Sequence, residues 1–167
     1  MKNSYPIAPT RFSENPYDPT WFAKDFMHTQ DGIQEFPKHH CKGTFYTSLP
    51  FVKRFGNAID VGCRDGEYAR YLQHHFPHTY CFDARLRKFF PYNVDLKKVT
   101  HFTCALGDEP GKIEMYGGTH NPKQGKHHTV ACFRLDDFGL ENITYLKIDV
   151  EGFEKKVLMG GLSLIHI

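Results

Sequence analysis

The sequence predicts an α/β fold built on a parallel sheet. Three observations lead to it. From Phe51 onward, short apolar runs alternate with segments of helical spacing. The runs end in acids or glycines. A glycine turn, Gly62 to Gly66, joins the first run to the first helical segment. Strand, helix, strand, helix, strand implies parallel pairing through right-handed crossovers.

The N-terminal stretch, residues 1–50, is irregular and punctuated by Pro6, Pro9, Pro16, Pro19, Pro37 and Pro50. Within it Thr20 to Met27 reads as one short helix with Trp21, Phe22 and Phe26 on an apolar face. We expect 1–50 to be an N-terminal extension or cap on the substrate side, and 51–167 to be the main domain. Asn57 to Val61 reads as a buried strand closed by Gly62. Glu67 to Phe76 has helical spacing, with Tyr68, Tyr71 and Leu72 on one side, and Pro77 ends it. Thr79 to Phe82 is a second strand, and Leu86 to Asn93 begins a second helix limited by Pro91. Thr100 to Leu106 is a third strand. Lys112 to Tyr116 and Thr129 to Leu135 bracket a Gly/Pro/His-rich loop over 117–128 and predict a hairpin insertion. Thr144 to Val150 is the fourth core strand, beside the first, and Gly152 to Met159 a further helix.

Composition bounds the function. A chain of 167 residues holds one domain with a real core. Hydrophobic residues are 40% and charged residues 24%, which excludes a disordered or collagen-like chain. The formal net charge is +2, with no basic run, so a nucleic-acid partner is disfavoured. No apolar run approaches the roughly 20 residues of a membrane helix. Met1 to Trp21 is polar, without the apolar region of a signal peptide, so the expectation is a cytoplasmic protein. Cys41, Cys63, Cys81, Cys104 and Cys132 form no CxxC pair and read as reduced, buried thiols, not a metal site.

The chemistry sits in Ala58-Ile59-Asp60-Val61-Gly62-Cys63-Arg64-Asp65-Gly66-Glu67. A P-loop needs a Lys after its last glycine, and Glu67 stands there. A dinucleotide loop needs a glycine where Arg64 stands, and Asp60, Asp65 and Glu67 would repel a diphosphate. Those acids suit a cationic ligand. S-adenosylmethionine carries an ammonium, a sulfonium and no phosphate. Asp60 meets that charge, while Gly62 and Gly66 let the ligand lie on the backbone. The same segment also serves as a plain strand-to-helix turn in other proteins with this kind of sheet. Asp83, 17 residues after Gly66 at the end of the second strand, is placed to accept from both ribose hydroxyls, or is a turn aspartate. Asp149 ends the fourth strand, near a methyl group or acceptor, and with Glu151 and Glu154 also suits a helix N-terminus. His74, His75 and His78 are split by Pro77, and His39-His40 and His127-His128 fall in loops, so no metal site is expected. Arg85, Arg87 and Lys88 read as a solvated helix start rather than a phosphate site.

The run Ala58 to Gly66, Asp83, Cys104-Ala105-Leu106-Gly107-Asp108 with Gly111, Arg134-Leu135-Asp136-Asp137-Phe138, and Leu146 to Glu154 followed by Val157-Leu158-Met159-Gly160-Gly161 occur in the order seen in FkbM-type methyltransferases. The sequence resembles that family over roughly residues 55–161, and Lys-Ile-Asp-Val-Glu-Gly-Phe-Glu is its most specific element. The resemblance implies a Rossmann-like class I methyltransferase fold and S-adenosylmethionine-dependent methylation of a hydroxyl, often on a sugar. It implies that Asp60, Gly62 and Gly66 bind the methionine part, Asp83 the ribose, and Ala105 and Leu106 the adenine, with Asp108 at its amino group. Asp149 and Glu151 would face the reaction, with Asp149 the first candidate base and a histidine the second. Two departures stand out. Cys63-Arg64 replaces the family's usual Ala-Asn, and Asp83-Ala84 its Glu-Pro. The alternatives are a Rossmann-like binding protein without turnover and an RNA ribose methyltransferase. The resemblance also implies further strands, so the expectation is a domain truncated after the fourth core strand, with an unpaired edge on the strand that carries Asp149. The acceptor and the oligomeric state are not legible.

Overall fold

A computed structural model of the chain describes residues 5–35, 40–116 and 127–165. Helix α1 (Pro19–Ala23) starts where Asp18 accepts from the Thr20 N–H at 2.8 Å, with Pro19 in its first turn. The helix expected to reach Met27 stops at Ala23. Asp25 takes φ 57°, which turns the chain into strand β1 (Phe26–Thr29), paired antiparallel with β2 (Gly32–Glu35). Helix α2 (His40–Ser48) follows.

The main domain continues with β3 (Asn57–Val61), α3 (Ala69–His75), β4 (Thr79–Asp83), α4 (Phe90–Asn93), β5 (Val99–Thr103) and β6 (Ala105–Leu106). Then come β7 (Gly111–Tyr116), β8 (His127–Phe133), β9 (Ile143–Ile148), α5 (Glu154–Met159) and α6 (Leu162–Ile165). Four strands form a parallel sheet in the order β5-β4-β3-β9. The chain winds outward from β3 to β5, then returns to place β9 on the other side of β3. The fold is therefore mixed α/β with a central parallel sheet, and the fourth core strand lies beside the first as its sequence position implied.

Three expected elements change shape. The third strand divides at Cys104. Its N–H still donates to the Asp83 carbonyl at 3.0 Å, but Ala105 and Leu106 pair with Cys132 and Phe133 of β8 instead. The second helix shrinks to α4, with Pro91 in its first turn, where a missing N–H costs nothing. His127 and His128 are not in a loop. They lie on β8 opposite Tyr116 and Met115 of β7, and His127 Nε2 meets the Glu114 carboxylate. The rest of the expected loop, 117–126, lies outside the described residues.

Strand alternation assigns the two faces of the sheet. Ile59 and Val61 join Phe82, Phe102, Leu135, Phe138 and Val157 in one core cluster. Phe82, Phe102 and Phe138 meet with ring centroids 4.8–5.1 Å apart. Each such burial contributes about 1.5–3 kcal/mol. Ala58 points the other way, toward Phe45 of α2 and Tyr71 and Leu72 of α3. Asp60 shares the register of Ala58, which puts its carboxylate on the helix face. Among the described residues β9 pairs with β3 alone, so its outer side is a sheet edge. No described helix is long and apolar enough to cross a membrane.

The N-terminal segment covers the opposite edge. Tyr5 packs edge-on against Phe102 at 5.0 Å, and the Thr10 N–H donates to the His101 carbonyl of β5 at 2.7 Å. The Thr10 hydroxyl lies 2.9 Å from His101 Nδ1 and 2.8 Å from the Thr103 hydroxyl. His101 is buried between Phe12 and Phe90, and its Nε2 has no hydrogen-bond partner among the described residues.

Burial holds the His101 pKa down to about 4, below its ordinary 6.5. Between those values the unfolded chain binds the proton and the folded chain does not, so stability falls as pH falls. The expected loss from this group is about 2 kcal/mol between pH 7 and pH 5. Urea unfolding at both pH values checks it. His101→Phe should flatten the dependence, and an unchanged slope in that variant would remove His101 as its source.

Candidate functional site

The carboxyl ends of β3 and β9 meet where the winding reverses, the usual crevice for ligands in an open α/β sheet. The Asp149 N–H donates to the Val61 carbonyl at 3.0 Å, carrying the pairing one residue past β9. Gly62 follows with φ 77°, and a Cβ there would land on the Asp149 carbonyl oxygen. Glycine is required by both conformation and space. The Gly62 and Cys63 N–H groups both point at the Phe82 carbonyl, at 2.8 and 3.3 Å, so the loop leans toward β4.

Arg64 is left-handed, with φ 48°. That is a region where Asn is several-fold enriched over other non-glycine residues, and Asn is the residue the family usually carries there. The turn aims the Arg64 N–H at Asp83 Oδ2, 2.9 Å away, while Oδ1 accepts from the Arg85 N–H at 2.8 Å. Two backbone donors thus fix the Asp83 carboxylate, and about two of its four lone-pair sites remain for a ligand. Gly66 closes the turn, its N–H donating to the Cys63 carbonyl at 2.8 Å. At φ 86° it lies beneath α4, where a Cβ would press to 3.0 Å from Val94.

A cavity of about 280 Å³ opens over these strand ends. Of the residues singled out in the sequence, Gly62, Asp83, Ala105, Leu106, Asp149 and Glu151 all line it. Asp60, Gly66 and Asp108 do not. Gly66 shapes the turn from behind. Asp108 lies outside, 3.7 Å from the Lys156 ammonium, with both side chains about half exposed. Asp60 is completely buried, 3.0 Å from Lys147 Nζ. Burial raises the Asp60 pKa against the pull of that ammonium.

Several wall residues gave no signal in the sequence. Ile113 and Met115, alternate positions on β7, close one side, and Phe82, Cys104, Val150 and Phe153 add apolar surface. Burial pushes the Cys104 thiol up to about 12, so it acts as a neutral wall group. Arg64 and Arg87 also line the cavity. Arg87 is therefore not part of a merely solvated helix start. Its guanidinium lies in the field of the half-buried Asp65, whose pKa burial raises and Arg87 opposes. No described histidine and no described residue of 1–50 lines the cavity. The histidines have other partners. His74 stacks on Phe22 at 4.0 Å, and His78 Nε2 meets the Thr100 hydroxyl at 2.8 Å.

The loop after β9 is held by Glu154. Its Oε1 accepts from the Val150 and Gly152 N–H groups at 3.0 and 3.2 Å, and those bonds help lower its pKa. Glu151, at φ 57°, and Asp149 are exposed. The cavity therefore offers an oriented carboxylate beside β4, apolar walls in the middle, and two accessible carboxylates beside β9. This suits an extended ligand with an apolar middle and cationic or hydroxyl groups.

Residues 60–167 match the family model described as the methyltransferase FkbM domain. A search of curated proteins gives no match. The matched span begins at Asp60 and takes in the glycine loop, the whole cavity wall and the Asp149 loop, and by that match the chain belongs to the FkbM methyltransferase domain family.

Proposed function

We propose that this protein is an S-adenosylmethionine-dependent O-methyltransferase acting on a hydroxyl of a sugar or another small molecule. The observation that carries the reading is the pair of carboxylates on either side of β3. Asp83 closes β4 and Asp149 follows β9, strands two spacings apart, about 10 Å, with one cavity between them. That span fits a nucleoside at one end and a cationic amino-acid chain at the other. Asp83 would take the ribose hydroxyls. Ala105 and Leu106, faced by Ile113 and Met115, would enclose the adenine. Gly62 would carry the methionine part on its backbone, with Asp60 and Gly66 shaping the loop from behind.

When bound, the cofactor supplies an activated methyl group. The chain's own residues do the remaining work. Asp149 is exposed on the cavity wall, where its carboxylate can orient an acceptor hydroxyl and take its proton. Glu151, on the same loop, adds negative charge where a sulfonium would lie. The apolar walls exclude water, and positioning supplies much of the rate. The absence of any basic run, at a net charge of +2, favours a small-molecule acceptor over RNA.

Calorimetry with S-adenosylhomocysteine tests the cofactor. The parent chain should bind it and should not bind NAD. Asp83→Ala should weaken binding roughly tenfold or more, the scale of one lost charged hydrogen bond. Equal affinity in the variant would remove Asp83 from the ribose. On a panel of hydroxyl acceptors, Asp149→Asn should cut turnover by about 10²-fold or more while keeping cofactor affinity within a few-fold. Unchanged turnover would end its assignment as the base, and binding with no transfer to any acceptor would favour a cofactor-binding protein without turnover.

A further inference from the structure

Lys147 sits in the most family-specific run of the sequence, yet it does not line the cavity. It stands on β9 opposite Asp60 of β3. Its side chain is only 15% exposed. Its ammonium faces three oxygens: Asp60 Oδ1 at 3.0 Å, the Val61 carbonyl at 3.2 Å and the Gly62 carbonyl at 2.9 Å. The two carbonyls accept hydrogen bonds from it, and Asp60 completes the set as its ion-pair partner. The Tyr68 ring lies 5.8 Å from Nζ. Burial works to lower the Lys147 pKa, but the charge and hydrogen bonding of Asp60, with Asp149 nearby, leave it raised.

We propose that Lys147 is a positioning residue for the cofactor cavity. Its ammonium ties the end of β3 to the glycine loop, and Asp60 serves it as a buried counter-ion. The proposal rests on the cofactor reading above. Gly62 is held from two sides, its N–H on the Phe82 carbonyl and its carbonyl on Lys147. Those two bonds fix the peptides on either side of Gly62 and keep it against Asp149. A buried ion pair contributes little net stability, because desolvating the two charges offsets their attraction, and an apolar pair often replaces one without loss. Fold stability alone therefore does not call for a lysine here. The two loop carbonyls do, since only a long, flexible donor reaches both from the neighbouring strand.

The test separates the two roles. Lys147→Met leaves Asp60 as an unpaired buried charge. It should lower the melting temperature and weaken S-adenosylhomocysteine binding at least tenfold. Adding Asp60→Leu should restore the melting temperature to within a few degrees of the parent and leave binding at least tenfold weak. Recovery of both together would overturn the proposal and make the pair purely structural. A second measurement needs neither variant nor cofactor. In ¹H–¹⁵N spectra of the intact chain, one lysine ammonium should show slow solvent exchange. It should also shift when S-adenosylhomocysteine is added. No slowly exchanging ammonium would overturn the proposal. A protected ammonium in a chain that does not bind S-adenosylhomocysteine would support the tie and reject the cofactor reading instead.

Discussion

Two parallel strands can end side by side around a ligand only where the chain leaving one of them gives way. Here Gly62 gives way. The Asp149 carbonyl occupies the space a Cβ would need, and any other residue would push β3 and β9 apart at the point where the winding reverses. The rest of the site follows from that contact. It lets the Asp149 N–H reach the Val61 carbonyl, brings Lys147 to the Gly62 carbonyl, and tips the next peptides toward Phe82 and Asp83. The left-handed Arg64 then delivers its N–H to the Asp83 carboxylate. One close approach therefore sets both the β9 side and the β4 side of the cavity.

Charge is sorted by depth. Asp60 and Lys147 are buried under the loop and balance each other, whereas Asp83, Asp149 and Glu151 reach the cavity with Arg64 and Arg87. The sequence shows five of these seven charges within two short runs, 60–64 and 147–151, with Asp83 and Arg87 outside them. What divides floor from wall is position along the strand. Asp60 and Lys147 pair inside β3 and β9, whereas Asp83 closes β4 and Asp149 and Glu151 follow β9.

The central sheet was legible because its strands are short apolar runs closed by acids or glycines, and parallel pairing follows from the helices between them. That Asp83, Ala105, Leu106, Asp149 and Glu151 line the cavity was legible for the same reason, since residues at strand ends gather at the switch point. Asp60 lies beneath the cavity rather than on its wall, because a motif does not say how far short of the strand end its residue stops. Asp108 lies off the wall as well, beside Lys156. Ile113 and Met115 were illegible because nothing local says that a hairpin will fold back over the cavity. The helix expected over Thr20 to Met27 failed at one residue, Asp25, whose left-handed backbone no periodicity reveals.

The order of pairing in the sheet also has a kinetic side. Ala58 pairs with Thr79, 21 residues on (79 − 58), and with Tyr145, 87 residues on (145 − 58). Closing the longer loop costs about 1 kcal/mol more chain entropy. The larger effect is on rate, because long-range parallel pairing is slow to find its partner. The β3-β4-β5 unit can assemble from near neighbours. Until β9 docks, it carries Asp60 without its cation and a glycine loop with nothing to lie against. The contact that makes the cavity thus belongs to the sheet's longest-range strand pairing, and the cavity is complete only when that strand docks.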